Sequence, residues 1–506
     1  MFKNIKNDFP ASIVVFFVAL PLCLGIALAS GAPPFAGMIA GIIGGIVVGA
    51  LSGSQIGVSG PAAGLAAIVM TAISTLGSYE YFLVAVVLGG LIQIIFGLLR
   101  LGVIGYYFPS SVIKGMLVGI GIIIILKQIP HFFGYQGGDD ITSASNGILD
   151  NISLGATIIG ATSLLLMLFW SNVLAKKAKI FTLIQGPFAA VVLGIIFYIL
   201  TKDTTLGIAS NHLVKVPIPD SLDSFLLQLK FPDFSAITNK TVIVTGFTIA
   251  LVASLETLLC VEATDKIDPL KRITPTNREL FAQGIGNMVS GLIGGLPITQ
   301  VIVRSSANIQ SGGKSKLSAI IHGFLLLISV VLIPNILNKI PFAVLASILL
   351  IVGYKLANPA TFKKMFSLGW KQWLPFSVTV IGIVFVDLLY GIALGLIVGI
   401  AIVLIKSYQN SHSLNQDNKN NDKNTVKITL AEQVTFFNKS AILKELENLP
   451  KNTYLELDVT KTTYLDNDII EILEDFAIKA KERQINIKFM SSKGVYENPK
   501  QFSDIF

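Results

Sequence analysis

Charged residues are scarce in this chain. Asp, Glu, Lys and Arg make up 13% of its 506 residues, while 53% are hydrophobic and the mean hydropathy is +0.72. An average soluble domain carries about 25% charged residues. The composition therefore excludes an ordinary water-soluble protein of this length and predicts a chain embedded in a lipid bilayer.

Cysteine and histidine are also rare. The two cysteines, Cys23 and Cys260, both lie in apolar stretches, which excludes a disulfide framework. The four histidines are scattered without metal-ligand spacing, and the sequence contains no nucleotide-binding loop. We therefore expect no metal centre, no cofactor, no enzymatic activity and no ATP-driven pumping.

The charges that are present are unevenly distributed. Residues 409–506 hold 13 of the 38 Lys and Arg and 15 of the 30 Asp and Glu, which leaves 25 and 15 for residues 1–408. A basic membrane body and a small polar tail are predicted. If the N-terminus is inside and the chain crosses the membrane fourteen times, eighteen basic residues of the membrane body lie on the cytoplasmic side and six lie outside. The positive-inside rule therefore predicts a protein of the cell (inner) membrane with both termini in the cytoplasm. The net charge of +8 follows from the same rule and does not indicate nucleic-acid binding.

Hydropathy predicts twelve spans of roughly 20 residues, with two unusual apolar stretches at 58–75 and 300–313. Those two are short and rich in Gly, Ser, Ala and Pro. Counting them as half-helices gives fourteen. The predicted organisation is a first repeat at 1–200, an extracytoplasmic loop at 201–240, a second repeat at 241–408, a polar linker at 409–424 and a cytoplasmic α/β domain at 425–506.

Each unusual stretch lies third in its half of the chain. Interrupted helices in matching positions predict an inverted-repeat transporter with its binding site near the bilayer midplane. The N-terminus of a half-helix carries unpaired N–H groups and about +0.5 charge, which suits an anion. The alternative is that Gly and Ala only allow close helix packing. The matched pair favours a binding site.

Both stretches contain helix-start signals. Ser59 followed by Gly and Pro predicts one start, and Ser305 with Ser306 predicts a cap for a helix that runs through Asn308. Arg304 immediately before that second start would add a full positive charge and bidentate donors for an oxyanion. The candidate anion-binding residues at the two starts are Ser59, Gly60, Pro61, Ala62, Arg304, Ser305, Ser306 and Ala307.

A second ionisable residue, Glu256, lies in the middle of the span 241–262, with Cys260 one turn later on the same face. A carboxylate beside an anion site repels the substrate unless it first binds H⁺ or Na⁺, which is the physical basis of symport. The alternative is a Glu256–Arg304 pair that only holds the two halves together. Both roles can coexist, and Glu256 and Cys260 are the candidate ion-coupling residues.

Several sequence runs resemble the sulfate permease (SulP) family, and the resemblance covers essentially the whole chain. The most specific is NRELFAQGIGNMVSGLIGGLPITQVIVRSSANIQSGGKSKLSA at 277–319. Supporting runs are ALPLCLGIALASG at 19–31, VSGPAAG at 58–64 and SLETLL at 254–259, and the tail has the strand–helix alternation of a STAS domain.

The resemblance implies an α-helical polytopic membrane protein of fourteen helices in two inverted repeats of seven. It also implies a core domain that moves against a gate domain, an inorganic anion bound between the third and tenth helices, and a homodimer. Arg304 matches the anion-site arginine of the family and Glu256 its acidic residue in the eighth helix. Cys260 falls where sodium-dependent bicarbonate members carry a hydroxyl. Many members of the family have a glutamine after the proline of the first helix, where this chain has Leu22. Ile26, one helical turn later, is a candidate apolar residue that lines the anion site.

Three functions remain open from the sequence. The first is a secondary transporter of a small oxyanion, sulfate being favoured, coupled to H⁺ or Na⁺ through Glu256. The second keeps the fold but carries bicarbonate with sodium, which places Na⁺ near Glu256. The third, from another class, is an anion channel or a membrane receptor that signals through its tail. The expected partners are the anion, the coupling cation, the lipid bilayer and a second copy of the chain.

Overall fold

The computed structural model describes residues 4–103, 109–135, 152–177, 181, 184–217, 229–386, 388–409, 412–416 and 425–506. Within these residues, seven helices are long and apolar enough to cross a membrane, and shorter apolar helices accompany them. Fourteen main helices precede the tail sheet: α1 Ile5–Ala29, α2 Pro34–Leu51, α3 Ala63–Leu76, α4 Tyr79–Leu98, α5 Ser110–Phe133, α6 Leu154–Lys177, α7 Gly186–Thr201, α8 Lys240–Ile267, α9 Thr276–Leu292, α10 Ile302–Gln310, α11 Leu317–Leu332, α12 Phe342–Leu356, α13 Trp370–Phe385 and α14 Leu388–Gln409.

Local sequence explains where many of these helices begin and end. Ser78, Ser153 and Asn239 cap α4, α6 and α8, because each side chain accepts a hydrogen bond from a backbone N–H of the first turn. Gly77 ends α3 with a φ of +70°, a conformation that glycine adopts without steric cost. Apolar residues fill most positions between these signals, so the helices are stable in a bilayer.

The two short strands of the membrane body lie just before two of its shortest helices. Strand β1 is Ser59–Pro61, before α3, and strand β2 is Ile298–Gln300, before α10. The helix α9 begins at Thr276 and ends at Leu292, and the chain then continues into β2. Since α3 and α10 are each third in successive sets of seven helices, the observed order agrees with two repeats.

Helix packing separates the membrane body into two groups. In one group α4 packs on α8 and α9, and α1 packs on α2, α10 and α11. In the other, α5 packs on α12 and α13, and α6 packs on α7 and α12. These groups correspond to the expected core and gate domains, with α1 contacting helices of both.

Glycines allow the closest helix contacts, as in α-helical membrane proteins generally. A Cβ at Gly90 of α4 would lie 2.6 Å from both the carbonyl oxygen of Gly284 and the backbone nitrogen of Met288 on α9. The backbones of α4 and α9 therefore touch at Gly90 and Gly284, neither of which has a side chain.

The chain divides into two compact units, Met1–Gly395 and Leu396–Phe506. The second unit contains a five-stranded sheet in the order β3-β4-β6-β8-β9, in which β4, β6 and β8 are parallel, and a short parallel pair of β5 with β7. The elements are β3 His412–Gln416, β4 Thr425–Leu430, β5 Gln433–Val434, α15 Lys439–Glu447, β6 Tyr454–Asp458, β7 Tyr464–Leu465, α16 Asn467–Glu482, β8 Asn486–Ser491 and β9 Gly494–Glu497.

The predicted strand–helix alternation of the tail is present. Alternate residues of β4, β6 and β8 form a buried apolar core with the inner faces of α15 and α16. Part of the segment expected to be a linker instead forms β3, which pairs antiparallel with β4 from His412 opposite Leu430 to Gln416 opposite Val426. The rest of 410–424 lies outside the described residues.

Replacing Gly90 with Leu is expected to prevent folding, since there is no space for a side chain between α4 and α9. Leu91→Val is the matched control, because Leu91 is 44% exposed on the outer side of the same helix. Size-exclusion chromatography after detergent extraction would measure the yield of monodisperse protein. A normal yield from Gly90→Leu would contradict the observed packing.

Candidate functional site

The two interrupted segments cross each other inside the membrane body. Strands β1 and β2 pair antiparallel, with Ser59 opposite Gln300, Gly60 opposite Thr299 and Pro61 opposite Ile298, and all six residues are buried. Extended backbone at membrane depth is tolerated only where its polar groups are satisfied or line a cavity. Here the strands satisfy each other.

The helix starts differ from those predicted. Ser59–Pro61 forms β1, and α3 begins at Ala63, so Pro61 is a strand residue and not the first residue of a helix. Pairing with β2 keeps this backbone extended beyond the predicted start. Ser59 caps nothing, and its hydroxyl instead accepts a hydrogen bond of 2.7 Å from Nε2 of Gln283 on α9.

The second start is also shifted. Helix α10 begins at Ile302, so Arg304, Ser305 and Ser306 lie within its first two turns. The Ser305 hydroxyl donates to the carbonyl of Val301 at 2.8 Å and accepts from the N–H of Val58 at 3.0 Å, which ties the two interrupted segments together. The Ser306 hydroxyl accepts from Nε2 of Gln310, on the more exposed side of α10. Neither serine is a cap.

A buried amide holds the crossing in place from the side. Oδ1 of Asn287 on α9 accepts from the N–H of Ile298 at 2.5 Å, and its Nδ2 donates to the Ile298 carbonyl at 3.0 Å. The same Nδ2 donates to Oε1 of Gln93 at 2.6 Å, and Gln93 donates to Ser254 on α8 at 3.2 Å. This network links three helices to β2.

Two side chains of α8 face the two helix starts. The N–H of Gly64, in the first turn of α3, donates to the carboxylate of Glu256, whose Oε2 is buried without a partner. A Cβ at Gly64 would lie 2.6 Å from Glu256 Oε1, so only glycine allows this approach. The N–H of Ile302, the first residue of α10, donates to the sulfur of Cys260. Helix α8 thus brings one group to each start.

Arg304 is fully buried and has almost no partners. Its Nη2 donates to Sγ of Cys23 on α1 at 3.3 Å, while Nε and Nη1 have no hydrogen-bond partner among the described residues. The guanidinium rests against Gly60 of β1, where a Cβ would overlap it. No ion pair joins Arg304 to Glu256 in this conformation, so the structure does not contain the alternative in which the pair only holds the two halves together. A buried charge without a counter-charge is costly and attracts an anion.

The remaining candidates lie nearby. Leu22 and Ile26 are buried on α1, which packs against α10, and Ala307 is buried within α10. Ala62 is the residue before the first turn of α3. Sequence reasoning missed the buried amides Gln93, Gln283, Asn287 and Gln300. The signal that could have found them is the presence of polar amides inside otherwise apolar spans.

Comparisons with known proteins show the family and the fold of this chain. Residues 5–379 match the model of the sulfate permease family. This chain belongs to the sulfate permease family. It is 25% identical to "Putative sulfate transporter YvdB" of Bacillus subtilis (strain 168) over 99% of this chain and 93% of that protein.

Two solved structures are similar to this chain. The transmembrane domain of the cyanobacterial bicarbonate transporter BicA has a TM-score of 0.65 and 26% identity, over 77% of this chain and 98% of that chain. Murine Solute Carrier 26 family member A9, an anion transporter in the inward-facing state, has a TM-score of 0.78 over 97% of this chain and 86% of its own, at 15% identity. The predicted class, a polytopic helical transporter that is not an enzyme, is confirmed.

Replacing Asn287 with Leu should destabilise the strand crossing, because the buried N–H and carbonyl of Ile298 would lose their partner. Leaving buried polar groups unsatisfied costs about 1–3 kcal/mol each. The thermal unfolding midpoint in detergent should fall clearly. Gln310→Leu, on the exposed end of α10, is the control and should change it little. Equal midpoints for the two variants would show that Asn287 does not hold β2.

Proposed function

We propose that this family member is a secondary active transporter of a small inorganic oxyanion, sulfate, with Arg304 as the positive centre of its binding site. One observation carries the proposal. A fully buried guanidinium without a carboxylate partner lies in the first turn of α10, beside the β1–β2 crossing. An oxyanion would supply the missing counter-charge and the acceptors for its unused N–H groups.

The two helix starts add to this attraction. Neither α3 nor α10 has a side-chain cap of its own, so the first-turn N–H groups of both helices are available to ligands and to α8. Helix N-termini favour anions by about 0.3–1 kcal/mol each, which is less than a buried full charge contributes. Arg304 therefore dominates binding, while the helix starts orient the oxyanion.

Glu256 supplies a physical reason for cation coupling. Its carboxylate lies at the start of α3, where an incoming anion would also bind. Two unit charges of like sign 4 Å apart repel by about 4 kcal/mol at an effective dielectric constant of 20. A proton on Glu256 removes this repulsion, so anion and proton bind together, and movement of the core against the gate carries both across.

Sodium-coupled bicarbonate transport is the second candidate. It is favoured by the similarity to BicA, which covers nearly the whole of that transmembrane domain. Among the described residues, no three His, Cys, Asp or Glu side chains come together to hold a metal ion. A sodium ion near Glu256 would thus depend on backbone and hydroxyl oxygens for its remaining ligands. Cys260 of α8, which faces the start of α10, has a thiol where sodium-dependent bicarbonate members of the family carry a hydroxyl. This difference favours the proton over sodium as the coupling ion.

Charge distribution supports cytoplasmic termini for this transporter in the inner membrane, as the positive-inside rule predicts. The family resemblance supports a homodimer. For the tail domain, support of folding or dimerisation is the simplest role, and uptake by a tail-deleted protein would test a signalling role.

Labelled sulfate should accumulate in proteoliposomes when a pH gradient is imposed, because protonation of Glu256 permits the anion to bind. An imposed sodium gradient without a pH gradient should give only slow equilibration. Accumulation of bicarbonate with sodium, and no sulfate uptake under either gradient, would replace sulfate by the second candidate.

Arg304→Ala should abolish saturable uptake while the protein stays folded, since the positive centre is lost. Glu256→Gln should lose gradient-driven accumulation but retain anion exchange, because the amide cannot release a proton. Arg100→Ala and Glu262→Gln are matched controls, as both residues are exposed and Glu262 lies on α8. Accumulation that survives Glu256→Gln would make this residue structural.

A further inference from the structure

The guanidinium of Arg304 is held by fewer groups than its burial requires. Guanidinium has five N–H donors. Within the part of the chain that the structure describes, the bond from Nη2 to the sulfur of Cys23 is the only one, and a thiol is a weak acceptor. Nε and Nη1 are buried with no partner. Another group close to Arg304 must help to fix its direction.

Helix α11 provides that group. A Cβ at Gly41 on α2 would lie 2.9 Å from Cδ1 of Leu326 on α11 and 3.9 Å from Nη1 of Arg304, so this face of α11 lies close to the guanidinium. His322 is one turn before Leu326 on the same face and is fully buried.

The hydrogen bonding of His322 defines what it offers. Its Nδ1 lies 2.7 Å from the carbonyl oxygen of Ala319, so Nδ1 carries the proton of the neutral ring. Nε2 is then an acceptor, and it has no partner. The unused acceptor on α11 and the two unused donors on α10 thus belong to buried side chains of two helices that both pack against α1.

We propose that Cys23 and His322 are positioning residues for Arg304, two neutral acceptors that orient the guanidinium without cancelling its charge. Nε2 of His322 accepts from Nε or Nη1 of Arg304 through one water molecule, since the two side chains form no direct hydrogen bond in this conformation. The functional half of this inference rests on the proposed role of Arg304 in anion binding.

Neutrality is the essential property of these acceptors. A carboxylate in either place would hold the arginine in a strong bidentate ion pair, but the pair would have no net charge left for a substrate. A thiol and a neutral imidazole satisfy N–H groups and leave the full positive charge to act on the anion. This accounts for an arginine whose neighbours on α1 and α11 are both uncharged.

A double-mutant cycle tests the contact without any substrate. Thermal unfolding midpoints would be measured for the full-length protein, His322→Phe, Arg304→Met and the double variant. His322→Phe should lower the midpoint when Arg304 is present and have little effect in the Arg304→Met protein. Independent effects of the two substitutions would overturn the proposal.

Uptake kinetics test the function. His322→Phe should raise the KM for sulfate about tenfold, the equivalent of about 1.4 kcal/mol, with little change in maximal rate. His322→Gln, which restores an acceptor, should stay close to the wild-type KM. Equal KM values for the Phe and Gln variants would show that His322 only fills space.

Cys23 offers a matched pair of substitutions. Cys23→Ser keeps a neutral acceptor and should retain saturable uptake, whereas Cys23→Asp should remain folded, by size-exclusion chromatography, and lose it. Saturable uptake by a folded Cys23→Asp protein would refute the requirement for neutrality. Should the wild type carry neither sulfate nor bicarbonate, the proposed function falls, while the cycle still decides whether His322 contacts Arg304.

Discussion

The antiparallel pairing of β1 with β2 is the interaction on which the rest of the membrane body depends. Each strand has three residues, and each lies where a continuous helix would otherwise satisfy its own backbone. In a bilayer an unpaired N–H or carbonyl costs several kcal/mol. The crossing removes most of this cost and lets two helices begin in the interior. Asn287 and Ser305 then bind the remaining backbone groups around it.

The crossing also explains why positive charge collects at one place. Two helices that begin in the interior direct their N-terminal N–H groups inward, and Arg304 in the first turn of one of them adds a full charge. The carboxylate of Glu256 accepts from the N–H of Gly64 and forms no ion pair with the arginine. The positive charge of Arg304 is therefore not cancelled by Glu256.

Sequence reasoning found the broad arrangement but not its details. Apolar runs of about 20 residues predict spans because bilayer thickness fixes their length, and this gave fourteen helices in the right order. Gly, Ser and Pro marked the two interruptions correctly. The helix starts were placed wrongly, at Ser59 and at Ser305, because local capping signals compete with long-range pairing. Whether Ser59 caps a helix or joins a strand depends on Gln300, which lies far along the chain and faces it only after folding.

The orientation of Arg304 is not predictable from the sequence, because it depends on contacts with residues far away in the chain, such as Cys23. From the sequence, an ion pair between Arg304 and Glu256 is an alternative to cation coupling, but in the structure Arg304 contacts α1 and Glu256 contacts α3. The groups that brace the crossing, such as Asn287, contact backbone and would serve any anion equally well. Relatives named for sulfate and for bicarbonate share this one architecture, which agrees with the general rule that a fold is a framework on which different sites are built.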